Sequence, residues 1–406
     1  MLNIIKHTTF CFLLIFCFNV SVLSAKELHV YHDADYSINS VSAHAMKMGF
    51  LTALDEVGND FSGYQLRFME KNHRGNLKRS FRHMQQFLKS DKALFVLGGL
   101  HSPPYIKNRE FINKSEIPLL VPWAAGGPIT RYPSKENWVF RLSIDDTKAG
   151  IRLGQYAKQS LGCDAPHLLL ESTPWGKSNF NTVTNYFGAN TSLGVTWFDW
   201  NTKSNVAKIK LREAIASNAK CLIFVGNYAE TSAFFNAMAE FPEHERIPFV
   251  SHWGFTGGDL NALMTERVKG AVELSFLQSC YNFSTDQSNR GKNVLARAKS
   301  QFPEADFSNE HIEAPAGFIH AYDLGKVVFS ALKKLKFSGD IKLDRRALRN
   351  ALESKDLYAQ GLIKDYTMPF SPWTKDNTDA HEALGLEDFC MAKFDAENHI
   401  IVKPNI

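Results

Sequence analysis

Two short apolar runs, LFVL at 94–97 and PLLV at 118–121, each break off into small residues that can meet a ligand through their backbone. Gly98-Gly99-Leu100-His101-Ser102-Pro103-Pro104 follows the first, and Pro122-Trp123-Ala124-Ala125-Gly126-Gly127-Pro128 the second. In open α/β sheets, ligands bind in the crevice beyond the carboxyl ends of the strands. The Ser102 hydroxyl and the backbone N–H groups of Ala124, Ala125 and Gly126 suit a small anionic or carbonyl group. His101 reads equally as a ligand contact or as a partly buried loop residue. Trp123, Trp175 and Trp253 stand at strand-to-helix connections, where a large amphipathic ring suits closing over a ligand. Trp175 and Trp253 read as pocket walls, and Trp123 as either a wall or interdomain packing.

The same scan excludes most catalytic chemistry. Asp145-Asp146 offers paired carboxylates, but beside a helical pattern it reads as an N-cap in a favourable dipole. Gly126-Gly127-Pro128 lacks the Lys-Ser/Thr of a phosphate loop. His252 has no second ligand at metal spacing, and no Gly-x-Ser-x-Gly elbow is present. No catalytic residue, metal site or cofactor is assigned.

These residues need a scaffold that brings strand ends together, and the hydrophobic pattern supplies one. Strand-like runs at 28–31, 66–68, 94–97 and 118–121 alternate with helical periodicity at 43–57, 76–89 and near 108–113. This β-α-β-α-β-α-β order implies a parallel sheet covered on both faces. WVFRLS at 138–143 reads as a strand leading out of this unit. The pattern then restarts: helices at 147–161, 178–187, 206–219 and 230–241 alternate with strands at 167–171, 195–199, 221–225 and 248–252, with a further strand at 270–276. Helical segments at 294–301, 314–335 and 344–352 follow, and then strand-like runs at 389–394 and 400–402. The fold class is α/β: two doubly wound, Rossmann-like parallel-sheet domains with a ligand cleft between them.

Length agrees, since 406 residues exceed one compact core. Apolar content of 44% and charge of 22% are ordinary for a soluble protein. A net charge of +4 without a basic run gives no footprint for nucleic acid. Residues 1–25 combine Lys6, an apolar run at 10–18 and small residues at 21–25, which reads as a signal peptide cleaved after Ser24 or Ala25. The run is shorter than the roughly 20 residues that span a bilayer. An exported chain with Cys163, Cys221, Cys280 and Cys390 permits two disulfides in any of three connectivities, or buried free thiols.

Taken in order, GGLHSPP (98–104), PWAAGGPIT (122–130), FRLSIDD (140–146), ESTPWGKSN (171–179), FVGNYAE (224–230), SHWGFTGG (251–258) and AYDLGKVV (321–328) resemble the type I periplasmic solute-binding proteins. Within these, the chain is most similar to the leucine/isoleucine/valine- and amide-binding branch that serves ABC importers. The resemblance implies two lobes joined by three crossover strands that close on a ligand without catalysis. One lobe would hold 26–143 plus about 280–350, the other 144–279 plus part of 351–406. Family positions that hold a carboxylate fall on Ser102, Ala124 and Ala125, the aromatic lid on Trp175, and positions near an ammonium on Tyr228 and Trp253. Two departures stand out. Ala125 replaces a Thr, and Trp253 replaces the acidic residue that would meet an α-ammonium, leaving Glu230, Asp35 or Asp323 as candidate substitutes. The expected function is periplasmic binding of an amino acid, amide or related metabolite by a monomer, for a membrane permease. The alternatives are the sensing subunit of a membrane receptor, an exported α/β hydrolase, or an interaction module with a side-chain-filled cleft.

Overall fold

In a computed structural model of the chain, residues 26–188, 191–307 and 312–403 are described; the expected signal peptide at 1–25 lies outside them. The first unit runs β1 (Lys26–Ala34), α1 (Ser40–Val57), β2 (Tyr64–Asn72), α2 (Leu77–Lys89), β3 (Ala93–Gly98), α3 (Ser102–Lys114), β4 (Leu119–Val121) and β5 (Val139–Arg141). Its strands form one parallel sheet in the order β2-β1-β3-β4-β5. β3 and β4 are buried at every residue, as continuous apolar runs must be when helices cover both faces. α2 turns Met84 and Phe87 inward and is capped by Asn76, whose side chain accepts the Arg79 N–H.

The second unit runs α4 (Asp146–Ser160), β6 (His167–Glu171), α5 (Pro174–Phe187), β7 (Val195–Phe198), α6 (Ser204–Ala216), β8 (Leu222–Val225), α7 (Tyr228–Met238), β9 (Phe249–Ser251), short α8 (Leu260–Leu263) and α9 (Glu266–Lys269), and β10 (Leu274–Ser279). The chain then returns to the first sheet through α10 (Asn289–Gln301), α11 (Pro315–Leu332) and α12 (Ile341–Leu352). α11 lies against α1 so closely that a side chain at Gly49 would collide with the Phe318 backbone. In α12, Arg345 donates to the carbonyls of Ala93 and Phe87. After the hairpin β11 (Tyr358–Gln360) and β12 (Asp365–Thr367), β13 (Phe389–Phe394) and β14 (Ile400–Lys403) join the second sheet antiparallel. That sheet reads β14-β13-β10-β9-β8-β6-β7.

Three local differences from the sequence reading have physical causes. α3 begins at Ser102, not near 108, because Pro103-Pro104 occupy a first turn whose N–H groups need no partner. Residues 139–141 pair with β4 as the edge strand before leaving the sheet. β10 begins at Leu274, since Ala271 and Val272 fold back onto the Val268 carbonyl to close α9.

The chain passes between the sheets three times: at 142–145, at 280–288 and at 379–388. The third passage pairs with the first, as Arg141 N–H donates to the His381 carbonyl and Ala383 N–H to the Arg141 carbonyl. It is joined to the second where Cys280 N–H donates to the Asp388 carbonyl, and the Cys280–Cys390 disulfide then fixes the second passage to β13, while Cys163–Cys221 crosslinks the second unit.

Candidate functional site

His101, Ser102 and Ala125, beyond β3 and β4, and Glu171, Asn227 and Trp253, at the ends of β6, β8 and β9, line one cavity between the two sheets. Its free volume is only about 10 Å³, room for a single water. Aromatic rings fill the rest. Trp123 and Trp253 lie 5.7 Å apart, and Trp253 lies 4.8 Å from His320. Trp175 sits edge-on to His252 at 5.2 Å and donates its indole N–H to Asp146 at 3.2 Å. Gly254 is the floor beneath Trp175, where a Cβ would come within 2.6 Å of the ring.

The donors expected for an anion are partly engaged. Ser102 is the first residue of α3 rather than its cap, which is His101. From there its Oγ accepts the Gly126 N–H at 3.0 Å. Gly127 N–H donates to Ser178 Oγ of α5, a bond between the two units. The two units are therefore drawn together around the cleft.

The larger space lies one step outward, a cavity of about 230 Å³. Asp35, Asn39, Arg74 and Asn76 line it from the first unit, and Trp200, Asn201, Asn227 and Glu230 from the second, with His101 bordering both cavities. Asp35 is satisfied by its own loop. Its Oδ1 accepts from the Ser37 and Ile38 N–H groups, and its Oδ2 lies 3.2 Å from Asn39 Nδ2 and 3.4 Å from His101 Nε2. Burial pushes its carboxyl up, but these bonds outweigh it and hold Asp35 below the usual carboxylate range. Glu171 and Glu230 go the other way. Burial, reinforced by the nearby Glu230 charge and opposed by Trp200, Thr173 and Asn227 hydrogen bonds, raises Glu171 to about 7. Burial also raises Glu230, against the Asn201 N–H at 2.8 Å.

Of the residues expected from sequence, His101, Ser102, Ala125, Trp175 and Trp253 come together around the inner cavity. Ala124, Gly126 and Tyr228 line neither cavity; Tyr228 packs against Gly258 instead. Among the substitutes for an acidic partner, Asp35 and Glu230 reach the outer cavity. Asp323 does not: it is buried in α11, where it accepts from the Leu362 and Ile363 N–H groups and the Tyr366 hydroxyl. Glu171, Trp200, Asn201 and Asn227 were not anticipated. Their signal was a charged or amide residue at the carboxyl end of an apolar run, in LLLE (168–171) and LIFVGN (222–227), and Trp200 just past β7.

The described helices include none long and apolar enough to cross a membrane. No curated protein matches the chain in sequence. Solved structures match its fold closely. The leucine binding protein LivK from Thermotoga maritima MSB8 superposes with a TM-score of 0.72 at 14% identity, covering 93% of this chain and 97% of that one. An R. palustris solute binding protein in complex with 4-hydroxybenzoate gives 0.74 at 15% identity, covering 94% and 96%. The substrate binding protein LivJ from Streptococcus pneumoniae in complex with isoleucine gives 0.69 at 16%, covering 93% and 100%. The sequence profile of the family described as periplasmic binding protein matches residues 36–387, nearly the whole described chain. Two parallel-sheet units around an interlobe cleft, together with that match, make this chain a member of the periplasmic binding protein family with the type I fold.

Proposed function

We propose that the protein binds a small polar solute between its lobes by closing on it, and presents the closed form to an ABC importer. The observation that carries this reading is the interlobe cavity of about 230 Å³, bounded by polar side chains from both units. A ligand touching both lobes binds the closed state better than the open one, which is the differential affinity that closure requires. The relatives named for leucine, isoleucine and 4-hydroxybenzoate support a metabolite of that size.

In this reading residues 1–25 are a cleaved signal peptide and the monomeric chain works in the periplasm without chemistry of its own. The moving bodies are 26–143 with about 280–350, and 144–279 with part of 351–406. His101 meets the solute directly. Ser102, Ala125, Trp175 and Trp253 form the floor behind it, and Ala124, Gly126 and Tyr228 support that floor.

A thermal-shift screen of the chain from residue 26, over amino acids, amides, amines and aromatic carboxylates, tests the reading. A solute at a hundredfold excess over its dissociation constant adds about 2.7 kcal/mol of stability. No shift with any class, or turnover of a solute that does shift it, contradicts the reading.

A further inference from the structure

The geometry points to an organic cation, a primary amine or guanidinium compound, as the occupant of the outer cavity, held by Glu230 against the ring of Trp200. This rests on the solute-binding reading and names its ligand class.

Room is the first argument. The floor around Ser102 holds one water at most, and the Gly126 N–H is already taken, so a carboxylate has no place there in the closed form. The occupant is confined to the outer cavity, whose lining is acidic and amide-rich.

Charge is the second. Glu230 is 4% exposed, and Glu171 is fully buried. Glu230 takes the Asn201 N–H, and Glu171 takes the Thr173 hydroxyl and the Asn227 amide, but neither carboxyl has an ion-pair partner among the described residues. A buried carboxylate without a counter-charge is costly and is relieved either by a proton or by a cation. The cavity offers room for the cation beside Glu230. The groups facing these two carboxyls are each other, His101 and Asp35 across the cleft, and Arg74. His101 is tied to Asp35 and Asn39. Arg74 is exposed at the rim of the opposite lobe and makes no ion pair among the described residues. Neither fills the role.

Shape is the third. Trp200 borders the cavity with its ring 5.2 Å from that of His101. An indole face beside the buried Glu230 carboxyl suits a cation, which the ring quadrupole attracts. The amides of Asn39, Asn76 and Asn227 supply acceptors for further N–H groups. The acid that Trp253 lacks is thus replaced from α7, one step outward.

The test is titration calorimetry of the chain from residue 26 with putrescine, agmatine and ethanolamine, beside leucine and 4-hydroxybenzoate. The cationic probes bind and the other two do not. Glu230→Gln weakens the best probe about tenfold or more, the size of one lost charge-assisted bond, while the ligand-free melting temperature stays the same or rises. Since Glu230 must ionise to pair and burial raises its carboxyl, affinity increases as pH rises and that carboxyl loses its proton. Binding of leucine or the benzoate with no response to Glu230→Gln overturns the cation assignment and leaves solute binding standing. Silence from all five probes, with a hit elsewhere in the wider screen, also overturns it; silence from every class overturns both.

Discussion

Ser102 serves the inside of the protein as well as the cleft. Its hydroxyl oxygen is the acceptor for the Gly126 N–H, so Ser102→Ala leaves a buried donor without a partner. Urea unfolding should show a loss of about 1–3 kcal/mol, whereas a purely ligand-facing hydroxyl would leave stability unchanged. Glu171 carries a pH signature of its own. Its folded value is raised to about 7, so its favourable contribution is complete below the unfolded value of about 4.3 and is lost as pH rises through about 7. Ligand-free protein should therefore melt lower at about pH 8 than at about pH 5, and Glu171→Gln should flatten that slope. An unchanged slope in the variant contradicts the assignment. At this scale the sequence was half legible. Strand-end residues on the core β-strands were found because small residues interrupt apolar runs. Glu171 was passed over because one carboxylate closing LLLE looks like any polar strand terminus until the folded chain buries it.

Among the elements, the hinge shows how a chain can move and still hold register. Arg141 is fully buried and donates to Glu382, Asp145 and the carbonyls of Ala124 and Gly126. Arg131 reaches Asp145 and Asp379. This network ties the first passage to the third. Removing one partner of a buried pair costs about 3–5 kcal/mol because the other charge stays buried, so Glu382→Gln should lower the unfolding free energy measured in urea by that much. A variant as stable as the parent would show that the pairing is idle. Burial pushes Asp145 up, but Arg141 and Arg131 outweigh it and hold its carboxyl well below the usual range. Its stabilisation is thus present above about pH 4 and lost as pH falls. The Asp145-Asp146 cap was legible, since Asp145 accepts the Thr147 N–H at the start of α4. The Arg–Glu pairing was not, because Arg141 and Glu382 stand 241 residues apart.

At the level of the whole molecule, alternating periodicity disclosed two α/β units, and ordered motifs disclosed the family. The closing of the inner cleft by aromatic rings was invisible, because whether a Trp walls a space or fills it depends on lobe separation. Gly257 belongs here: a Cβ at this position of the second unit would come within 3.2 Å of Leu100 in the first, so Gly257→Val should hold the lobes apart and abolish ligand-induced closure while each lobe stays folded by circular dichroism. The disulfides act on the same scale. Cys280–Cys390 closes a separation of 110 residues and ties the second hinge passage to β13, so its replacement by paired serines should cost about 2–5 kcal/mol on denaturant unfolding. The most direct test of the account is small-angle X-ray scattering during titration with the solute that the screen selects. The radius of gyration should fall as the solute saturates and should stay at its ligand-free value in Gly257→Val. A solute that saturates the parent protein without any contraction would contradict binding by lobe closure.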